Sequence, residues 1–188
     1  MYLTKYPRRF GRRCTGFSMI EVLVTMLVVS LGLLGIAKMQ AAAISNTQVA
    51  RVRSLIALQA GSLASFMHGN PGYWAAGLAP ATFTATGATI TDATGVLTAT
   101  SPDCASAASA PCTPAQLAAH DVRDWVANFN AQFPSYTATV NCTTATGSPV
   151  SCNINLTWVE NYIAINRSTA AVSGAQTATQ SFTLYVQP

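Results

Sequence analysis

Two features meet at residues 16 to 21, Gly-Phe-Ser-Met-Ile-Glu, where an arginine-rich stretch is followed by a long apolar run. The first is a glycine, Gly16, at the junction itself. The second is a carboxylate, Glu21, which stands five residues later and already inside the apolar segment. An ionised side chain at bilayer depth costs about 2.5 to 3.5 kcal/mol on insertion scales, so a lone carboxylate there is a functional candidate by default. Glu21 is therefore the first residue to which we assign a chemical role.

The charge of the chain is distributed unevenly, and this excludes one class of function. Half of the 188 residues are hydrophobic and 9% are charged, which is too apolar for a disordered chain and suits one domain plus an anchor. Five of the ten basic residues lie before residue 16, so the chain without residues 1–16 has five basic and six acidic residues, a net charge of −1. Those five are Lys5, Arg8, Arg9, Arg12 and Arg13. A nucleic-acid partner inferred from the pI of 8.9 is therefore not indicated.

The apolar run is long enough to cross a membrane if Glu21 is tolerated within it. The uncharged part, residues 22–37, is slightly shorter than the ~20 residues usually required, whereas counting from Phe17 reaches that length. The alternative is a secretory signal cut after Ala41-Ala42-Ala43. Glu21 would interrupt such a signal, and the helical pattern continues through the supposed cut, which favours retention. The basic cluster should then stay cytoplasmic, with everything after residue 40 on the other side of the membrane.

A single long helix is predicted from Phe17 to about His68. This range contains no proline, and the first strong helix breaker is the Gly69–Gly72 cluster, Gly-Asn-Pro-Gly. The first half is apolar nearly all round. The second half has an apolar stripe at three- and four-residue spacing, formed by Val52, Leu55, Ile56, Leu63, Phe66 and Met67, and should pack on a globular domain. Gly32 and Gly35 indicate either close helix packing in the membrane or a segment that can melt.

The remainder, residues 69–188, reads as an α+β head. Residues 75–113 should be mostly surface loop, with short strands around Phe83 and at Thr89–Ile90. A helix should begin at Thr113, where Pro114 and Gln116 complete a capping-box pattern, and should end before Pro134. Apolar residues then alternate with polar ones in three stretches, which predicts an antiparallel sheet. Those stretches are centred on Ala138, Leu156 and Leu184.

The cysteines indicate an oxidising compartment. There are five, and Cys14 lies in the basic segment, which leaves four with three connectivities. The pairs Cys104 with Cys112 and Cys142 with Cys152 are favoured because each closes a short loop, the second around a Gly147-Ser148-Pro149 turn. A zinc site built from all four thiolates is the alternative, but structural zinc usually uses cysteines separated by two to four residues. Disulfides are therefore expected, and no metal or cofactor.

Enzymatic chemistry has little support in the sequence. The two histidines, His68 at the end of the long helix and His120 on the exposed side of the shorter one, have no catalytic motif around them. A triad assembled only in space stays open. Tyr73 and Trp74 after the breaker cluster could form a contact surface, although aromatics at such a position more often pin the loop to the core. We expect no enzyme.

Residues 1 to about 68 resemble the shared amino-terminal segment of type IV pilins and pseudopilins. The matching features are the basic leader, Gly16 before the cleaved bond, Phe17 as the new and typically N-methylated terminus, Glu21, and the long helix. The resemblance implies three parts: a leader, 1–16, removed by prepilin peptidase; a helix, 17–68, which spans the membrane in its first half; and a head, 69–188. Lys38 stands where many major pilins have a proline, so pilus behaviour deduced from that proline does not carry over.

Two further segments resemble the minor pilins of the type IV pilus modification family, PilV. These are Glu21-Val22-Leu23-Val24 together with Leu31-Gly32-Leu33-Leu34-Gly35, and the stretch from Cys112 to Asp121 with Trp125. The likeness implies a minor pilin that takes part in pilus assembly or modifies pilus properties. The main alternative is a minor pseudopilin of a type II secretion system, and a membrane-anchored periplasmic hydrolase is a remote third.

The resemblance also implies roles and partners. Glu21 would pair with the amino terminus of Phe17, on its own or a neighbouring subunit, and would set axial register during assembly. The partners would be other pilins, prepilin peptidase, the inner-membrane pilus assembly machinery and the membrane itself. The protein would lie in the inner membrane with its head in the periplasm and, after assembly, in a cell-surface pilus.

Overall fold

The structure, a computed structural model, describes residues 16–100, 102–105, 111–143, 149–161 and 177–188. The basic cluster between Lys5 and Arg13, Cys14, and the Gly147-Ser148 part of the expected turn lie outside the described residues. The chain forms two helices and five strands in these ranges: α1 Met19–Gly69, β1 Thr82–Thr86, β2 Thr89–Asp92, α2 Pro114–Gln132, β3 Thr137–Cys142, β4 Cys152–Asn161 and β5 Thr177–Val186. The expected α+β class, a long apolar amino-terminal helix with an antiparallel sheet, is confirmed.

Contacts divide the chain into two units, Met1–Ala42 and Ala43–Pro188. In the first unit every described side chain up to residue 41 is exposed. This part of α1 contains an 18-residue window with a mean hydropathy of 2.4, none of it buried, so its length and composition suit a membrane span. The helix predicted from Phe17 to His68 is observed from Met19 to Gly69.

The second unit is built on a five-stranded antiparallel sheet with the order β2-β1-β3-β4-β5. The short strands expected near Phe83 and Thr89 are β1 and β2, and the three alternating stretches are β3, β4 and β5. Inward-facing residues stand opposite one another across the central pair, with Ala138 beside Leu156 and Val140 beside Ile154. The period-2 pattern thus determined the face of each strand that enters the core.

Helix α2 begins as its sequence predicts. The Gln116 amide donates to the Thr113 hydroxyl at 3.3 Å, and the Thr113 amide donates to the Gln116 side-chain oxygen at 2.9 Å. These reciprocal bonds satisfy two amides that a helix start leaves without partners. The helix buries one apolar stripe against the core: Ala118, Ala119, Val122, Trp125, Val126 and Phe129.

The core lies between the sheet and the two helices. From α1 it receives the buried residues Ile56, Ala60, Leu63, Ala64 and Met67. The Trp125 indole N–H donates to the Gln59 carbonyl at 2.9 Å, which fixes α2 against this part of α1. Tyr136 packs on Phe129 with ring centroids 3.9 Å apart, and burial raises the pKa of Tyr136 to about 12.

The breaker after α1 is a structured turn. Asn70 is buried, its side-chain amide donates to the Pro114 carbonyl at 2.7 Å, and its own carbonyl accepts from the Tyr73 and Trp74 amides. Both aromatic side chains are buried, so they pin the turn to the core and do not form a contact surface. Burial, together with the charge of Asp92, raises the pKa of Tyr73 to about 12.

Candidate functional site

The segment before α1 leaves the Gly16–Phe17 peptide bond accessible. Residues 16–18 are not helical, and Phe17 is 82% exposed. A Cβ built on Gly16 would meet no atom within 4 Å. The contacts of the described residues therefore do not require glycine at this position.

Helix α1 starts immediately after this bond, with Glu21 in its first turn. The Ser18 carbonyl accepts from the Glu21 amide at 3.0 Å and from the Val22 amide at 3.3 Å. Ser18 and Glu21 also have the Ser-x-x-Glu spacing of a capping box, and a carboxylate in the first turn is favoured by the helix dipole by about 0.3 to 1 kcal/mol at exposed sites. The sequence interpretation did not mention this position of Glu21 in the first helical turn.

The surroundings of Glu21 offer its charge no partner within the described residues. Its neighbours on the helix, Ile20, Leu23 and Val24, are all exposed, and no basic group of the described chain forms an ion pair with it. A helix surface that is apolar all round must be covered by lipid or by other apolar helices. Among the described residues, Glu21 therefore has no cation beside it.

Gly32 and Gly35 of α1 have no packing role among the described residues. Cβ atoms built on Gly32 and Gly35 would meet nothing within 4 Å. Each glycine costs about 1 kcal/mol relative to alanine in a helix interior. The sequence left two explanations for these glycines, packing against another helix and local melting, and neither involves a contact that the described residues make.

The four described cysteines form two disulfides. Cys104 is bonded to Cys112 with Cα atoms 5.8 Å apart, and Cys142 to Cys152 with Cα atoms 4.0 Å apart. The second pair stands in direct register between β3 and β4, so it staples a hairpin. The zinc alternative needs all four thiolates at one point, whereas the structure joins them as two separate bridges.

His120 is more enclosed than the sequence indicated. We expected it on the exposed side of α2, but its side chain is only 18% exposed, and Asp103 from the preceding loop lies beside it. Its Nε2 is 3.6 Å from Asp103, and its Nδ1 is 3.8 Å from Asp121 and 3.7 Å from Asp124. Burial, and then the charge of Asp124, raises the pKa of Asp121, although His120 acts in the opposite direction. These contacts place Asp103 of the preceding loop beside the first half of α2.

An ion pair that sequence reasoning missed ties α1 to the sheet. Arg53 donates to Glu160 twice, from Nε to Oε1 at 2.9 Å and from Nη2 to Oε2 at 2.8 Å. The Trp158 indole N–H also donates to Oε1, at 3.0 Å. These bonds from Arg53 hold the pKa of Glu160 below its usual value despite its burial. The sequence did contain a signal for the burial of Glu160. It stands at the next alternate position of β4 after Ile154, Leu156 and Trp158, whose side chains face the core.

Comparison with known protein families gives a match at the amino terminus. Residues 11–37 match the family described as the prokaryotic N-terminal methylation motif. No curated protein and no solved structure matches the chain significantly. The matched residues include the Gly16–Phe17 bond, Glu21 and both membrane-segment glycines. Together with the long apolar helix and the antiparallel head, the match supports a type IV pilin-like protein, either a pilin or a pseudopilin.

Proposed function

We propose that this protein is a minor pilin of a type IV pilus, which primes assembly or modifies pilus properties such as adhesion and motility. The observation that carries the proposal is the position of Glu21. It lies in the first turn of an exposed apolar helix, directly after an accessible Gly16–Phe17 bond and within the matched methylation motif. Such a layout suggests a structural protein and not an enzyme.

The first step of the proposed function is processing. Prepilin peptidase removes the leader, 1–16, and Phe17 becomes an N-methylated terminus. The exposure of this bond, and a fold that tolerates a side chain at Gly16, support cleavage by an enzyme that selects the glycine itself. Cleavage creates an ammonium group four residues, about one helical turn, before Glu21.

The second step is assembly. The helix, 17–68, spans the inner membrane with its first half and then packs among the helices of other pilins. There the Glu21 carboxylate pairs with the terminal ammonium of its own or a neighbouring subunit. Fixing register is the best-attested use of such a buried charge pair. The exposed apolar surface of α1 is stabilised by removal from water, both in the membrane and among the helices of other pilins.

The head, 69–188, faces the periplasm and then the cell surface. The basic residues before residue 16 support this orientation, because basic segments next to a membrane span stay on the cytoplasmic side. The two disulfides suit an oxidising compartment on the other side. The likeness of residues 21–24 and 31–35 to the PilV minor pilins supports a pilus subunit over the alternative, a minor pseudopilin of type II secretion.

Deletion of the gene, with fractionation of the cells, tests this proposal. We expect the chain, beginning at Phe17, in filaments sheared from the cell surface, and we expect deletion to reduce piliation while protein secretion continues. A chain missing from sheared filaments, combined with a secretion defect on deletion, would instead establish the pseudopilin. Complementation with the wild-type chain is the control for effects on neighbouring genes.

A further inference from the structure

The imidazole ring of His120 has a carboxylate near each of its two nitrogens. On one side lies the Asp103 loop, residues 102–105, which places Asp103 Oδ1 3.6 Å from the ring Nε2. On the other side lie two carboxylates of α2 itself, with Asp121 Oδ1 3.8 Å and Asp124 Oδ2 3.7 Å from the ring Nδ1. The ring therefore stands between a loop and a helix that both present negative charge to it.

Only one protonation state of the ring suits both neighbours. A neutral imidazole has one N–H and one nitrogen with a lone pair, whereas the protonated ring has an N–H on each nitrogen. An ionised carboxylate can only accept. In the neutral ring, whichever tautomer is present, one nitrogen directs its lone pair toward a carboxylate. The contact with the loop and the contact with the helix are thus both favourable only when His120 is charged.

The other charges around the ring come from the same two elements. Asp103 faces it from the loop, and Asp121, Arg123 and Asp124 face it from α2. Three carboxylates and one guanidinium have a net charge of −2, which becomes −1 when His120 takes up a proton. With a neutral ring, Asp103 faces the carboxylates of α2 without a positive charge on the side chain between them.

Asp103 is fixed to its own loop more firmly than to the helix. Its Oδ1 accepts from the Ala105 amide at 3.0 Å, so the side chain moves together with the loop backbone. The next residue, Cys104, is bonded to Cys112, which directly precedes the N-cap Thr113 of α2. The disulfide keeps the loop close to the start of the helix, but it does not hold Asp103 against the ring.

We propose that His120 forms a pH-sensitive contact in the head: the protonated ring holds the Asp103 loop against α2, and loss of the proton releases the loop. Imidazole side chains change charge between about pH 5 and 8, so the loop is held at mildly acidic pH and released at mildly alkaline pH. The disulfide limits the release to a local displacement. The inference concerns the head alone and is the same for a pilin and a pseudopilin.

Hydrogen exchange at the backbone amides of residues 102–105 tests the contact, in the full-length chain in detergent micelles at pH 5.5 and pH 8. Because the chemical exchange rate itself rises with pH, each rate is divided by that of His120→Gln at the same pH. Glutamine is uncharged at both values. The wild-type loop should exchange about 1.4- to 5-fold more slowly than the variant at pH 5.5, as one exposed ion pair gives. At pH 8 the two rates should be equal.

Two further variants examine the loop carboxylate and the choice of histidine. Asp103→Asn keeps an oxygen that can accept from the Ala105 amide, and it should speed exchange at pH 5.5 but not at pH 8. His68→Gln is the matched control, because His68 is the other histidine and is exposed at the end of α1. It should keep the full pH dependence. Burial raises the pKa of Asp121, but that residue is unchanged in all of these chains.

Three results would overturn the inference: the same ratio of wild-type to His120→Gln exchange at both pH values, no effect of Asp103→Asn at pH 5.5, and loss of the pH dependence in His68→Gln. If His120→Gln does not fold, the comparison of Asp103→Asn with the wild-type chain decides by itself. A loop that exchanges faster in Asp103→Asn at pH 5.5 and equally fast at pH 8 supports the contact, and any other outcome refutes it.

Discussion

Removal of the Arg53 side-chain charge should destabilise the protein through Glu160. Arg53→Met keeps the aliphatic stem but leaves a carboxylate that is 2% exposed without its cation. Hydrogen bonds to charged groups contribute about 1.5 to 3 kcal/mol each, but Arg53 is 55% exposed, so solvent screens part of this energy.

An upper limit comes from proton uptake. Protonating a carboxyl group with an ordinary pKa of 4.5 at pH 7 costs about 3 kcal/mol, and Glu160 can escape any larger penalty in this way. We therefore expect a loss of about 2 kcal/mol. For a chain of this size it corresponds to a fall in Tm of about 4 to 8 °C.

The loss should depend on pH with a definite sign. The pKa of Glu160 is lowered in the folded state, so the ion pair stabilises the protein above the unfolded value of 4.5 and loses this effect as pH falls through the folded value. In Arg53→Met the buried Glu160 has no cation, so its pKa rises and it takes up a proton earlier than in the wild-type chain. The difference in Tm between the two chains should thus be largest at pH 7, shrink as pH falls, and be smallest below the lowered pKa of the wild-type Glu160. Glu160→Gln should lower Tm less than Arg53→Met does. The glutamine oxygen can still accept a hydrogen bond from Trp158, and the half-exposed Arg53 remains solvated by water.

The assay is thermal unfolding of the full-length chain in detergent micelles, followed by near-ultraviolet circular dichroism. Arg51→Met is the matched control, since Arg51 lies on the same helix, is exposed, and forms no ion pair with the described residues. It should shift Tm by about 1 °C or less. If Arg53→Met is as stable as Arg51→Met, or if its deficit persists undiminished at pH 3, the reasoning is wrong.

Three further predictions concern the amino terminus and the cysteines. Gly16→Leu should leave the leader attached while the head folds normally, as intact mass would show; a terminus at Ile44, as a signal cut would give, contradicts the processing scheme. Glu21→Ala should be cleaved normally, remain in the inner membrane and fail to enter sheared filaments, because the Gly16–Phe17 bond is a helical turn away from it; normal incorporation would remove the register role. Mass analysis under non-reducing conditions should show that the chain has lost four hydrogens to its two disulfides. Cys142→Ser should lower the free energy of unfolding by roughly 2 to 3 kcal/mol, the loop-entropy contribution of one disulfide. Free thiols with stoichiometric zinc would contradict both expectations.

Local signals in the sequence predicted most of the elements and singled out the segment that the N-terminal methylation motif matches. The start of α2 follows from Thr113 and Gln116, which are three residues apart and bond to each other. The faces of β3 and β4 follow from strict alternation, since side chains in a strand point to opposite sides in turn. Gly16 and Glu21 were recognisable because the junction of a basic leader with an apolar helix is itself a short-range pattern.

Only the tertiary structure decided which distant groups meet. The hairpin of β1 and β2 could have joined either edge of the sheet, and the pairing of β1 with β3 selects one. Arg53 meets Glu160 across 107 residues of sequence, and His120 lies 3.6 Å from Asp103 of another segment. A single sequence carries no periodic signal for such contacts, because they depend on how the elements pack once their apolar faces are buried together.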